Sequence, residues 1–312
     1  MRIAVLGPGG VGGLLAAALG RGSGEVLVLA REQTAAVIAA EGLRVQSVIF
    51  GEMHEHPRAM ARLEEPVDAL LVATKAAGLQ VALDRVAVAP GIVLPLLNGL
   101  DHMQLLRSRF DPASVLAGSI RVEADRPEPG VVVHTSPFLL VSMATAHPEA
   151  AAAMGALAAA LSEVEVPVKV QLPVSAGSEA DVLWSKLVRL NALACTTSAH
   201  DVLLGEIRER PELRAELVGA IDEASAVALA EGAGAVDARR AVAELEAAHA
   251  TLGSSMQRDI AAGRPPELDA IPGSVLRAGA RHGLSCPTIE HLVRLIAARA
   301  QIPLPEILRA AS

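Results

Sequence analysis

The first residues whose types and spacing point to chemistry are Gly7-Pro8-Gly9-Gly10-Val11-Gly12. Read as Gly-x-Gly-x-x-Gly, the segment suits a dinucleotide pyrophosphate. Gly7 permits a tight turn, Gly9 lets a phosphate lie against bare backbone, and Gly12 lets the following helix pack close to the strand. A helix starting there offers unpaired N–H groups and a partial positive charge. The pattern alone is weak in a chain with 26 glycines. Its plainer reading is a glycine-rich turn without a cofactor. Its place, directly after the apolar residues 2–6 and before the small, apolar residues 13–19, makes it strong.

A second position bears on which dinucleotide is bound. At the end of the next apolar run stands Leu29-Ala30-Arg31-Glu32. An acid there would bind a ribose 2′-hydroxyl, whereas Arg would accommodate a 2′-phosphate. Arg31 in that place favours NADP(H) over NAD(H). Glu32 would serve NAD(H) if the register slips by one residue. Further on, Val72-Ala73-Thr74-Lys75 and Leu97-Asn98-Gly99 put Lys75 and Asn98 at the C-terminal ends of two more apolar runs. In an open α/β sheet those ends face the ligand crevice.

Positioning these residues takes strands and helices in alternation. Strands are expected at 2–6, 26–30, 67–74, 91–97 and 115–122, with helices at 13–19 and 34–41. That order argues for a parallel sheet covered by helices. Residues 130–133 and 138–143 read as a later hairpin, 148–161 as an Ala-rich helix and 164–172 as a last strand. Residues 173–178 read as a linker. Beyond them strand signals nearly vanish, and 179–199, 211–231, 236–249, 273–282 and 287–300 carry helical periodicity. The fold class is α/β, with an N-terminal Rossmann-type parallel sheet domain over 1–173 and a C-terminal all-helical domain over 174–312.

Composition excludes several classes. The 312 residues carry a formal net charge of −8, which lacks the basic footprint of a nucleic-acid binder. Two cysteines, Cys195 and Cys286, share no metal-ligand spacing and are too few for a disulfide framework. With the scattered histidines they point to no metal site and to a reduced, cytoplasmic setting. Arg2 followed by residues 3–20 looks superficially like a leader or a membrane span. Six glycines and a proline in that run argue against a spanning helix, so no membrane partner is expected. Helical second domains with apolar faces often pair, so a homodimer is compatible with the sequence, which says nothing more of oligomeric state.

The second half contains Leu183-Trp184-Ser185-Lys186-Leu187, then Ser254-Ser255-Met256-Gln257-Arg258-Asp259, Glu267-Leu268-Asp269 and Ile271-Pro272-Gly273. With Lys75 and Asn98-Gly99, this combination resembles the ketopantoate reductase (2-dehydropantoate 2-reductase) family along nearly the whole chain. That family reduces a 2-oxo acid to a 2-hydroxy acid with NADPH, in its name reaction ketopantoate to pantoate for pantothenate biosynthesis. The resemblance implies that Lys186 is the catalytic lysine and Glu267 its acidic partner. It implies Ser255 as a substrate-binding serine and Asn98 as the amide between nicotinamide and substrate. Lys75 would lie near the cofactor and Arg31 at a 2′-phosphate. The chemistry agrees, because carbonyl reduction needs a hydride donor, a proton donor and a clamp for the carboxylate. Taken singly, the residues have plainer readings. Lys186 suits a snorkelling lysine, Ser254-Ser255 a helix cap, Glu267 a first helical turn and Asn98-Gly99 a turn.

The sequence departs from the family where substrate polarity is read. The family's helix carries asparagines four and eight residues after the lysine, and a third before a Gly-Glu pair. Here those positions are Leu190, Ala194 and Leu204. Asn191 lies about 140° round a regular helix from Lys186, although a π-bulge would bring it back, and Thr197 returns to the lysine's face. Asn191 and Thr197 are therefore further candidates for substrate binding. Losing buried amides predicts a substrate less hydroxylated than ketopantoate. Two alternatives stay open: another hydroxy-acid, ketone or imine-forming dehydrogenase on the same fold, or a non-catalytic NADP(H)-binding paralogue.

Overall fold

The computed structural model describes residues 1–309 and opens on a strand, β1 (Arg2–Leu6), whose residues 3–6 are apolar and buried. The other strands are β2 (Glu25–Leu29), β3 (Leu43–Ser47), β4 (Gly51–Glu55), β5 (Arg58–Met60), β6 (Ala69–Val72), β7 (Ile92–Pro95), β8 (Ala117–Arg121), β9 (Ala124–Glu128), β10 (Val131–His134), β11 (Leu140–Ala144) and β12 (Val168–Val170). Helices α1 (Gly10–Gly20), α2 (Glu32–Glu41), α3 (Leu79–Leu83), α4 (His102–Arg109) and α5 (Ala151–Glu163) intervene. The rest are α6 (Ala176–His200), α7 (Leu204–Glu209), α8 (Pro211–Ala230), α9 (Ala238–Ala247), α10 (Ser255–Ala261), α11 (Ser274–Arg281), α12 (Pro287–Ala300) and α13 (Glu306–Arg309). A π-helical turn, Asp269–Gly273, precedes α11. This is the expected class, a Rossmann-type parallel sheet region followed by a helical region.

Two compact units divide the chain: Met1–Leu97 with His102–Val182, and Asn98–Asp101 with Leu183–Ser312. In the first, β5-β2-β1-β6-β7 form an all-parallel sheet. Strand order reverses direction at β1, which makes the ends of β1 and β6 a topological switch point, the place where such sheets bind ligands. Residues 3–6 and 69–72 are all buried, as a parallel strand covered on both faces requires.

Two sequence expectations are corrected here. Residues 115–122 do not add a strand to the parallel sheet. One bridge, Val93 to Val115, continues it, and the ladder then stops. Val93 and Pro95 point their backbone groups toward that edge, and Pro95 has no N–H to donate. β8 instead pairs antiparallel with β11, in a three-stranded sheet β12-β11-β8. Likewise, 130–133 and 138–143 are not a hairpin. β10 pairs with β3 and β9, whereas β11 pairs with β8 and β12. Between them the Ser136 hydroxyl donates to the Phe138 carbonyl and accepts from the Glu123 amide, so the chain turns away. The β3–β4 hairpin, assigned no element from sequence, alternates apolar with charged residues too briefly to stand out.

The second unit is helical. α8 packs against α7, α9, α11 and α12. Its Glu223 carboxylate accepts the N–H groups of Thr288 (2.7 Å) and Ile289 (2.9 Å), capping α12 where Pro287 starts it. The two units part within α6, at Val182 and Leu183, rather than at 173. α6 is one unbroken helix of 25 residues, so periodicity carries no mark there. The expected linker is the start of that helix: Ser175 accepts the Ser178 amide (3.1 Å) and Ser178 donates to the Pro173 carbonyl (2.5 Å).

Candidate active site

In the first unit the glycine loop follows β1 directly. Gly7 has φ +90°, a value that favours glycine, and its amide donates to the Leu29 carbonyl. A Cβ at Gly12 would lie 2.2 Å from the Gly7 carbonyl oxygen, and one at Gly10 2.2 Å from the Ala124 carbonyl oxygen. These two glycines seat α1 against its surroundings. Gly9 differs, because a Cβ there would meet nothing within 4 Å. The space over its backbone is open. α1 has no side-chain cap at its N-terminus and no acid in its first turn, so its anion-binding capacity is unspent. Pro8 is buried and Val11 half-buried beside them. One further group belongs with the loop. Thr74, after β6, packs against Gly7, and its buried Oγ1 has no partner among the described residues. The loop and this hydroxyl fit a dinucleotide phosphate. Sequence reasoning passed over Thr74, since a strand-end threonine has no distinctive spacing. Lys75 is exposed and starts a short 3-10 turn.

Arg31 follows β2 as the N-terminal cap residue of α2. It is exposed and makes no ion pair among the described residues. Glu32 is the next residue, and its carboxylate is taken by Arg85 (3.1 Å). Its own backbone amide and then Arg85 hold that carboxyl below the ordinary carboxylate range. Arg85 also donates to the Ala61 carbonyl (3.1 Å). A cavity of about 280 Å³ here is lined by Glu32, Ala61, Arg62, Val81, Asp84 and Arg85. Arg62 and Arg85 carried no sequence signal, because only the fold brings them to the end of β2.

In the second unit, three of the residues singled out from sequence meet. Lys186 Nζ donates to Asn98 Oδ1 (2.8 Å), and Asn98 Nδ2 donates to Glu267 Oε2 (3.0 Å). The amide orientation follows from chemistry. An ammonium only donates and a carboxylate only accepts, so the oxygen faces Lys186 and the nitrogen faces Glu267. Gly99 holds Asn98 in place. It has φ +85°, and a Cβ on it would lie 1.9 Å from the Ala270 carbonyl oxygen in the π-turn after Glu267. Asn98-Gly99 is thus a turn as well as part of the network.

Ser255, Asn191 and Thr197 do not join this network. Ser255 is exposed as the first residue of α10, and its neighbour Ser254 is the buried cap, accepting the Gln257 amide (3.1 Å). Thr197 donates to the Leu193 carbonyl (2.7 Å) and lies 2.8 Å from Ser254 Oγ, whose hydroxyl it can accept, so its hydroxyl is fully engaged about three turns beyond Lys186. α6 is α-helical throughout, so no π-bulge returns Asn191 to the lysine's face. Asn191 is fully buried; its Oδ1 accepts from Cys195 Sγ (3.6 Å), and its Nδ2 has no partner among the described residues. Leu190 is half-buried, and Ala194 and Leu204 are fully buried. Burial pushes the Cys195 thiol up and the Cys286 thiol up to about 11. Among the described residues, no group of three or more His, Cys, Asp or Glu could hold a metal, and no helix is long and apolar enough to cross a membrane.

Two family models match this chain: ketopantoate reductase PanE/ApbA over residues 3–142, and its C-terminal part over residues 180–300. The chain belongs to the ketopantoate reductase family. A 2-dehydropantoate 2-reductase of Mycobacterium tuberculosis is 29% identical over 312 residues, covering 96% of this chain and 98% of that protein. The PanE/ApbA family ketopantoate reductase of Ralstonia eutropha JMP134 is 26% identical with a TM-score of 0.81, covering 96% of this chain and 99% of that one. A D-mandelate dehydrogenase solved with NADH and anilino(oxo)acetate shares the fold, with a TM-score of 0.86 at 22% identity over 96% of this chain and 99% of that one. As a member of the ketopantoate reductase family, the chain is an oxidoreductase acting on CH–OH groups, in a family that binds a nicotinamide cofactor.

Proposed function

We propose that this protein reduces a 2-oxo acid to a 2-hydroxy acid with NADPH, and that its preferred substrate is less hydroxylated than ketopantoate. The observation that carries the reading is the hydrogen-bonded run from Lys186 through Asn98 to Glu267. A bound nicotinamide would supply the hydride. The Lys186 ammonium polarises the substrate carbonyl and gives a proton to the oxygen as negative charge develops there. Asn98 holds the ammonium by its oxygen, and Glu267 fixes the amide by accepting its nitrogen. The neutral Asn98 amide bridges Lys186 and Glu267, so the lysine is oriented through it. Ser255 is exposed on α10, and its hydroxyl is available for the substrate carboxylate. The glycine loop with Thr74 would hold the pyrophosphate, with Lys75 nearby.

Leu190, Ala194 and Leu204 supply no hydrogen bond where the family has amides, which supports an apolar substrate side chain. Arg31 supports NADPH, since it is exposed and makes no ion pair among the described residues, while the competing acid, Glu32, is engaged by Arg85. The test is NADPH and NADH oxidation by the purified protein against a panel of 2-oxo acids. The panel runs from ketopantoate to aliphatic and aryl side chains. The highest kcat/KM is expected with NADPH and an apolar 2-oxo acid. Ketopantoate as clearly the best substrate would overturn the substrate reading, and no turnover of any member would favour a non-catalytic binding protein.

A further inference from the structure

The Lys186–Asn98–Glu267 network depends on two chain segments lying side by side, the loop Asn98–Asp101 and the turn that follows Glu267. One guanidinium grips both. Arg277, on α11, donates to Asp101 Oδ2 (2.5 Å), to Asp269 Oδ1 (2.8 Å) and Oδ2 (3.2 Å), and to the Asp269 carbonyl (2.8 Å). Asp101 lies three residues after Asn98, and Asp269 two residues after Glu267. Gly273 leaves room for the grip, because a Cβ there would sit 3.2 Å from Asp269 Oδ1 and 3.3 Å from Arg277 Nη1. Half-exposed ion pairs add little to stability. A planar fork holding two carboxylates and a carbonyl does fix geometry.

We propose that Arg277 is a positioning residue for turnover: it fastens the Asn98 loop to the Glu267 turn, so that the amide spans Lys186 and Glu267. This rests on the reading of Lys186 as proton donor given above. Without the fork, Gly99 and the π-turn still touch, but the loop's far end is released. The amide then swings away from one of its two partners. The ammonium loses its orientation, and the cost falls on the chemical step rather than on dinucleotide binding.

The experiment compares kcat, KM for NADPH and the pH profile of kcat for wild type, Arg277→Leu, Arg277→Lys, Asp101→Asn and the double variant Arg277→Leu/Asp101→Asn. Arg277→Leu is expected to lower kcat by about tenfold to a hundredfold, as small misplacements of reacting groups do. KM for NADPH stays within about twofold of wild type, and the alkaline limb of kcat moves to lower pH. Arg277→Lys, which keeps a charge without the fork, recovers part of the loss. Asp101→Asn changes kcat in the same direction, and the double variant is no worse than Arg277→Leu alone, since both cut one link. A kcat and pH profile within about twofold of wild type in Arg277→Leu overturns the proposal, whatever happens to Tm. If Arg277→Leu does not fold, Asp101→Asn decides by the same readouts. Lys186→Ala serves as the separate control. Retained turnover there overturns the proton-donor reading itself, whereas loss there beside an unchanged Arg277→Leu overturns only the positioning role.

Discussion

At the scale of single residues, Lys186 shows how context decides meaning. On its own it is a half-buried lysine on an amphipathic helix, and such lysines are usually solvated stems. Its hydrogen bond to Asn98, and that amide's to Glu267, make it a held cation. Under the proposed reaction, Lys186→Ala lowers kcat by about two to four orders of magnitude, the usual worth of a general acid. Dinucleotide binding, followed by fluorescence of bound NADPH, stays near wild type because the glycine loop is untouched. Asn191 runs the other way. It is an asparagine close in sequence to the lysine, yet regular helical geometry turns it into the interior, against Cys195.

At the scale of elements, the strand–loop–helix unit separates two uses of glycine. Gly12 faces the Gly7 carbonyl at 2.2 Å from any added Cβ, whereas Gly9 faces open space. Gly12→Ala should therefore destabilise the unit by about 1–3 kcal/mol, as overpacking does, seen as a lower Tm. Gly9→Ala should leave Tm near wild type and raise the Kd for NADPH at least about tenfold, because the methyl occupies pyrophosphate space. Equal effects of the two on Tm would contradict this division. A second element-scale prediction concerns the sheet β4-β3-β10-β9. His134 is buried there, with Ser47 Oγ 2.8 Å from Nδ1 and Ser136 Oγ 3.2 Å from Nε2. Burial lowers its pKa below the ordinary value of 6.5. The unfolded chain then binds the proton more readily than the native one. Stability from the neutral ring is full above pH 6.5 and is lost as pH falls below it toward the folded value. Tm should drop between pH 7.5 and 5.5, and His134→Gln should flatten that slope.

At the scale of the whole molecule, charge is the informative property. The chain carries −8 overall, and near the end of β2 Arg85 is matched by Glu32 and Arg62 by Glu64, whereas Arg31 makes no ion pair among the described residues. An exposed, unmatched cation such as Arg31 attracts a multiply charged ligand, and salt screens that attraction over about 8–10 Å. The KM for NADPH should rise between about 50 mM and 500 mM salt more steeply than the KM for NADH. Arg31→Ala should remove most of that difference and reduce the NADPH preference by about tenfold or more, given the worth of a charge-assisted hydrogen bond. An unchanged preference in Arg31→Ala would assign 2′-phosphate recognition elsewhere.

What the sequence by itself determined is local. Residues 2–12 specify a buried strand, a tight turn and a close-packed helix, because glycine geometry and apolar runs act over neighbouring residues. The family, the Rossmann-type sheet and the helical second half were legible for the same reason. Tertiary structure decided what depends on residues far apart in the chain. Pro95 sends β8 into another sheet because the edge it faces has lost a donor, and no local pattern records which edge that is. The meeting of Asn98 with Lys186 and Glu267 joins residues 88 and 169 positions apart. The grip of Arg277 on Asp101 spans 176. Helical periodicity names the face on which Lys186 lies, but only packing says which amide and which carboxylate that face meets.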